Sequence, residues 1–531
     1  MDRVELDVVV VGAGFAGLFM VHRALGMGMS VEAIDAADGV GGTWWWNRYP
    51  GARCDVPSME YSYGFDDELQ QEWEWGERYA TQPEILSYLE HVADRFELRP
   101  HLTLGTRIEQ VFWDDAAQAW DVVASDGITR RTRFVVMATG CLSAANMPDI
   151  PGRDLFAGRT FHTGRWPHEP VDFSGRRVAV IGTGSSGVQS IPLIAEQADQ
   201  VTVLQRTPAY AVPAHNGPLD PAEVARIKAD YVNWRKVARN SRPGYGGHVP
   251  RPEVSALAVG EQERTAAYDA RWDVGGLLFL GAFNDLLLDT AANDTAADYL
   301  RARIAAVVDD PNTATALSPD TIVGCKRLCL DSGYYSTYNR PNVRLVDIAA
   351  TPIERIDPAG VVIGGEVHEV DDIVFATGFD AMTGALDRIH IEGRNGQTLR
   401  DAWAAGPTTL LGLQVAGFPN LFTVTGPGSP SVLTNMISSI EHHVEWIAEL
   451  LSDMTTNGYA TVEATPAAQA EWVDYVNAVA DMTLFPNCNS WYLGANVPGK
   501  PRVFMPLPGF PEYVTHCSNV ADQGYPGFVR S

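Results

Sequence analysis

Basic residues are scarce in this chain. Its 531 residues include 39 Lys and Arg against 66 Asp and Glu, a net charge of −27 at pH 7. So acidic a balance argues against nucleic acid and anionic membrane as partners and favours solubility. Long apolar runs are missing as well. The most tempting stretch, 274–283, is about half the roughly 18–20 residues of a membrane span and is broken by Gly275, Gly276 and Gly281. The first apolar strand begins at once, at Leu6, with nothing before it that resembles a signal peptide. Cysteines are few and scattered, six in all, and the nearest pair, Cys325 and Cys329, has neither zinc-site nor Cys-x-x-Cys spacing. The expectation is a cytoplasmic protein without a metal and with six reduced thiols.

What is present is a motif used twice. Leu6-Asp7-Val8-Val9-Val10-Val11 runs into Gly12-x-Gly14-x-x-Gly17, and the following strand ends at Asp35. Val178-Ala179-Val180-Ile181 runs into Gly182-x-Gly184-x-x-Gly187, where Ser185 and Ser186 open the helix and Arg206 takes the place of Asp35. A strand, a glycine turn and a helix N-terminus cradle a pyrophosphate, because backbone N–H groups converge on it. An acid at the second strand end accepts a hydrogen bond from a ribose 2′-hydroxyl, whereas an arginine suits a 2′-phosphate. The first cradle therefore reads as an FAD site and the second as an NADPH site. Thr207 and the Lys326-Arg327 pair are further phosphate candidates. A solvated surface charge is the other reading of Arg206.

Near copies at 135–140 (VVMATG) and 373–378 (IVFATG) read as buried strands where the chain crosses between domains. The predicted fold is α/β, with two Rossmann-like dinucleotide-binding domains: an FAD domain over 1–141 and 379–531, and an NADPH domain over 142–208 and 322–378. The alanine-rich segment 209–321 is predicted to be a helical insertion in the NADPH domain, with Leu300, Ile304, Val307 and Val308 as one apolar stripe. A separate helical domain is the alternative. Ser438-x-x-Glu441 predicts a capping box, opening a helix whose stripe is Ile440, Val444, Ile447 and Leu451. His442 and His443 point about 100° apart on that helix and read as surface or packing residues. Segments 242–252 and 487–501, rich in glycine and proline, predict loops.

Between the cradles lies Phe156-x-Gly158-x-x-x-His162-x-x-x-Trp166-Pro167, and before it Gly41-Gly42-Thr43-Trp44, Tyr49-Pro50-Gly51 and Asp55. These motifs resemble the fingerprints of the Baeyer–Villiger monooxygenases, and the resemblance extends over essentially the whole chain. It implies that NADPH reduces FAD, that O2 then forms a C4a-peroxide on the flavin, and that a ketone becomes an ester or lactone. It implies Arg327 as the active-site arginine, Asp55 as its acidic partner, and Gly42, Thr43 and Trp44 at the FAD. Lys326 would lie near NADP, and Trp491 on a loop closing over it. His162 would sit on the linker between domains, supporting their coupled motion, with Trp166 and Pro167 as rigid packing.

The loop 426–436 resembles that of the family's phenylacetone-oxidising members, which favours aryl or other bulky and cyclic ketones and also allows sulfoxidation of thioethers. Cys141, Ser431, Val432, Leu433 and Met436 are the pocket candidates. Cys141 stands where close relatives carry glutamine, and 506–514 departs from the family pattern. The implied partners are a ketone and O2, with the chain as a monomer or weak oligomer. One alternative is a flavin-containing N- or S-oxygenating monooxygenase. Another is a non-oxygenating flavoprotein, either a sensor or a disulfide reductase; the latter needs a cysteine pair at the flavin, and no spacing in the sequence points to one.

Overall fold

The computed structural model describes residues 3–503 and 505–531. Strand Arg3–Val11 lies parallel between Val31–Ile34 and Thr129–Met137. The helix Phe15–Gly26 makes the crossover from the first of these to the second. Strands buried on both faces need continuous apolar runs rather than alternation, which is why four successive valines, Val8 to Val11, sit here essentially without exposure. The sheet extends through Ala119–Ala124 and Ile108–Asp114, and two later strands complete it: His390–Glu392 at its edge and Leu421–Thr423 beside Thr129–Met137. The second sheet has five strands, all parallel: Val343–Asp347, Gln200–Gln205, Arg177–Ile181, Asp372–Phe375 and Arg159–His162. The architecture is α/β, with one cradle at the end of each sheet.

The two cradles are built on one contact. Gly12 has φ +116° and Gly182 φ +109°, where a side chain is strained; a Cβ on either would also stand 2.5 Å from a carbonyl oxygen, that of Ala138 in one case and Ala376 in the other. The repeated Ala-Thr-Gly strand ends are thus the floors against which the two glycine turns pack.

Segment 209–321 is helical, as expected, with Pro221–Lys228, Tyr231–Arg239, Glu261–Val274, Thr290–Val307 and Pro311–Leu317. Two details of local structure differ from the sequence reading. Leu300, Ile304 and Val308 are buried, but Val307 is 38% exposed. The helix ends at Val307, and the chain turns extended there, carrying Val308 inward instead. The late helix runs Met436–Asn457 and is capped by Asn435, whose side chain accepts from the Ile437 N–H at 3.1 Å. Ser438 is therefore inside the helix, and Glu441 accepts from the Gly64 N–H and pairs with Arg239 rather than closing a capping box. A second good capping residue three positions upstream won the start, leaving the glutamate free for a tertiary contact. His443 on this helix is fully buried, accepting from the Thr425 N–H and meeting the Tyr513 hydroxyl, so packing is its role. Among the described residues no helix is long and apolar enough to cross a membrane.

Candidate active site

A cavity of about 430 Å³ starts at the first cradle. Gly12, Gly14, Asp35, Gly42, Thr43 and Trp44 line it, and so do Cys141, Val432 and Met436. Gly42 and Gly14 touch backbone to backbone, since a Cβ on Gly14 would lie 3.3 Å from the Gly42 Cα. Gly17 lies behind the wall: a Cβ there would fall 1.8 Å from the Gly12 oxygen, so its role is to let helix and strand close up. The Asp35 carboxylate accepts from the Ala13 and Ala37 N–H groups at 2.6 and 2.8 Å. Burial raises its pKa, and the two backbone donors offset part of that. A cavity lined by a glycine cradle, a buried acid and apolar side chains has the chemistry for a dinucleotide, so the residues fit FAD.

Arg327 and Asp55 meet edge to edge. The guanidinium donates from Nε to Asp55 Oδ2 at 2.5 Å and from Nη2 to Oδ1 at 2.8 Å, and Nη1 donates to the Val432 carbonyl at 2.7 Å. Asp55 and the Val432 carbonyl occupy three of the five N–H donors, which fixes the fork, and the Tyr492 side chain bonds to the same guanidinium. Burial works against this cation, yet the Asp55 carboxylate outweighs it and raises its pKa well above the ordinary value. Tyr492 and Tyr245 also face the guanidinium. Burial pushes the Tyr492 phenol up to about 12. Both tyrosines and the Val432 carbonyl escape a reading of the sequence, although Tyr492 adjoins the flagged Trp491 and its loop was the available signal.

The second cradle opens toward the same arginine. A Cβ on Gly184 would meet nothing within 4 Å, leaving room for a phosphate. The Ser185 hydroxyl is 3.6 Å from the Cys329 sulfur, two residues beyond Arg327, and Ser186 meets the Thr163 hydroxyl at 3.0 Å. Gly187 packs on the Gly182 carbonyl as Gly17 does on Gly12. Arg206 is exposed, Thr207 accepts at its carbonyl from the Thr183 hydroxyl, and burial followed by the neighbouring Arg206 cation lowers the Lys326 pKa. Two cations close enough to disfavour each other form a site that a phosphate relieves, so this end fits NADPH. The Tyr49-Pro50-Gly51 turn seats on the second cradle's helix: a Cβ on Gly51 would be 2.5 Å from the Gln189 carbonyl, and the Tyr49 hydroxyl donates to the Gln189 side chain at 2.8 Å.

His162 lies where three crossing segments meet. Its Nδ1 accepts from the Gly164 N–H at 2.9 Å, which puts the ring proton on Nε2, 3.2 Å from the Thr377 hydroxyl; that hydroxyl in turn donates to the Asn146 carbonyl at 2.7 Å. Trp166 stacks on Phe161 and donates its backbone N–H to the Trp46 carbonyl. Pro167 is half-buried, and Phe156 covers Gly158, whose missing side chain admits the Asp371 carbonyl. Burial lowers the His162 pKa to about 4, so the ring is neutral at pH 7. The unfolded chain takes up a proton near pH 6.5 and the folded one only near 4. His162 therefore withdraws stability as pH falls through that window, by about 3 kcal/mol in full. His162→Asn is expected to abolish that component, and urea unfolding of both proteins at pH 7 and pH 4.5 checks it.

Five of the six cysteines surround this site, and the expectation of six reduced thiols is overturned. Cys325 and Cys488 form a disulfide, with Cα atoms 5.4 Å apart, although they stand 163 positions apart in sequence. Only folding reveals such a pair; spacing rules find cysteines that are near in the chain. Cys54, Cys141, Cys329 and Cys517 are free and buried. Burial pushes Cys141 up to about 11. The Ser431 hydroxyl turns to the Thr425 carbonyl, and Leu433 packs against the apolar group around the disulfide. Trp491 lies half-buried beside Tyr492, ring centres 4.3 Å apart.

The pyridine nucleotide-disulphide oxidoreductase family model matches residues 9–240. A Baeyer-Villiger monooxygenase of Pseudooceanicola batsensis is 42% identical over 99% of this chain and 96% of its own length. Phenazine N-monooxygenase PhzNO1 of Lysobacter antibioticus is 40% identical over 99% and 97%. Among solved structures, oxidized steroid monooxygenase bound to NADP is 52% identical over 99% of both chains, with a TM-score of 0.94.

Proposed function

We propose a division of labour among these residues from the premise that the chain belongs to the Baeyer–Villiger monooxygenases, FAD enzymes that use NADPH and O2 to insert one oxygen atom beside a ketone carbonyl. The FAD unit comprises 1–141 and 379–531. It holds the flavin nucleotide through Gly12, Gly14, Asp35, Gly42, Thr43 and Trp44, with Gly17 letting the helix close on the strand behind them. The NADPH unit comprises 142–208 and 322–378, with 209–321 as its insertion. It holds the nicotinamide nucleotide through the 182–187 turn, Arg206, Thr207 and Lys326, with Trp491 above. When bound, FAD supplies electron transfer from NADPH and the activation of O2.

The chain's own residues supply position and charge. Arg327 is locked by Asp55 and Val432 before any reactant arrives, and its fixed positive charge would stabilise the negative charge that develops on the ketone oxygen. A permanently protonated group stabilises such charge without giving up a proton. Its locked geometry is the observation that carries the reading. His162, neutral and hydrogen-bonded across three crossing segments, transmits domain movement and takes no part in bond making. The enzyme acts in the cytoplasm as a monomer or weak oligomer.

Cys141, Val432 and Met436 give the cavity an apolar lining suited to aryl or bulky ketones. Cys141→Gln is expected to lower kcat/KM for an aryl ketone about tenfold, as filling a pocket by a few heavy atoms does, while sparing acetone. Parallel rates on the two ketones check it.

The 40% identity to a phenazine N-monooxygenase favours a second reading, N-oxygenation. Supplying a ketone, a thioether and an N-heteroaromatic side by side with NADPH and O2, and identifying products by mass, separates the two. Ester formation supports the leading reading; N-oxide with no ester overturns it.

A further inference from the structure

The disulfide joins two segments that the proposed function makes move relative to each other. Cys325 immediately precedes Lys326-Arg327, and Cys488 is three residues before Trp491. Both cysteines are buried, 5% and 7% exposed. The covering segment also packs Tyr492 and Leu493 into the apolar group around the disulfide, and polar ties hold its far end. Asn496 donates to the Phe379 carbonyl at 2.6 Å and accepts from Asn146 at 3.0 Å, and the Lys500 ammonium pairs with Asp380 and donates to the Ala381 carbonyl. Toward the near end the disulfide is the covalent anchor, and the residues it anchors include Tyr492, which lies against the Arg327 guanidinium.

The neighbouring thiols do not disturb this bond. Burial pushes Cys141 and Cys329 up to about 11, and Cys54 higher. At pH 7 each of the first two carries about one part in ten thousand of thiolate, the only form that attacks a disulfide. The pair is therefore isolated from exchange inside the protein.

We propose that Cys325–Cys488 is a thiol–disulfide centre that clamps segment 488–500 over Arg327 when oxidised and releases it when reduced. Reduction takes two electrons and two protons from an external dithiol: one thiolate attacks a cysteine sulfur, freeing the other cysteine, and the second thiol closes on the first, leaving two protein thiols and a cyclic disulfide. Re-oxidation needs a two-electron acceptor; hydrogen peroxide takes both electrons and both protons, giving two waters. The consequence for catalysis rests on the functional reading of this segment as the cover of the nicotinamide nucleotide.

The test uses the FAD-loaded enzyme with dithiothreitol or hydrogen peroxide as probe. Thiols titrated after denaturation should number four as isolated under oxidising conditions, and six after reduction. Limited proteolysis within 488–500 should be about tenfold faster in the reduced enzyme, as expected when a local opening loses a covalent restraint, and peroxide should restore the slow rate. Cys325→Ser and Cys488→Ser, made separately, should each show the fast rate with no response to dithiothreitol. Six thiols without reduction, or equal cleavage of oxidised and reduced enzyme, overturns the clamp. NADP+ affinity, read by fluorescence in both states, addresses the functional reading separately: cleavage that responds while affinity stays constant keeps the clamp and rejects the nucleotide as what it covers.

Discussion

Arg327→Ala is expected to leave flavin reduction by NADPH near its normal rate and to slow ester formation about 10²–10³-fold, the usual cost of removing one preorganised charge at a developing oxyanion. The split follows from where Arg327 sits. It is gripped by Asp55 and the Val432 carbonyl, whereas the proposed phosphate contacts are Arg206 and Lys326, which the substitution leaves untouched. NADPH should still be consumed, with its electrons released as hydrogen peroxide. Arg327→Lys should recover only part of the loss: an ammonium restores the charge but cannot grip both Asp55 oxygens from one rigid plane. Anaerobic absorbance after mixing with NADPH, followed by product quantification in O2, measures both halves. Ester at near-normal rate from the alanine enzyme would remove Arg327 from the mechanism, and loss of flavin reduction would move its role to the nucleotide.

Arg206→Ala is expected to raise the KM for NADPH by about 10–100-fold and to leave that for NADH unchanged, in keeping with the loss of a charged hydrogen bond worth about 1.5–3 kcal/mol. The side chain is exposed and lies near another cation, Lys326. Its removal therefore leaves no buried acid unpaired, and fold stability should hold, which a thermal melt can verify. Equal losses for both nucleotides would return Arg206 to the role of a solvated charge.

The sequence made the cradles readable because their chemistry is local. Four valines, three glycines and an acid within thirty residues declare a strand, a turn and a helix N-terminus with little help from the rest of the chain. Local signals also marked segment 209–321 as rich in helix. They went astray where two nearby residues compete for one task. Asn435 and Ser438 can each start a helix, and only the contact of Glu441 with Gly64 and Arg239 decides between them. The active site was legible chiefly through the family resemblance. Arg327 and Asp55 are 272 positions apart, and nothing in either neighbourhood announces the other. Tyr245, Tyr492 and the Val432 carbonyl reach the guanidinium by the same long-range route. The disulfide is the clearest failure of spacing rules, since its cysteines are neighbours only once the late covering segment has folded back on the arginine loop.

The manner in which the first sheet is completed has a consequence for biosynthesis. Strand Thr129–Met137 takes Leu421–Thr423 as a neighbour, with Val135 opposite Leu421. On the ribosome the early strands must wait, one apolar edge open, while nearly three hundred further residues emerge. The five-stranded sheet, complete by Phe375, can close first and act as a template, so the nascent chain matures from its middle outward. Until then the short edge Val135–Met137 stays unpaired on that side, and overexpression faster than release of the final 110 or so residues should send the protein into aggregates through it.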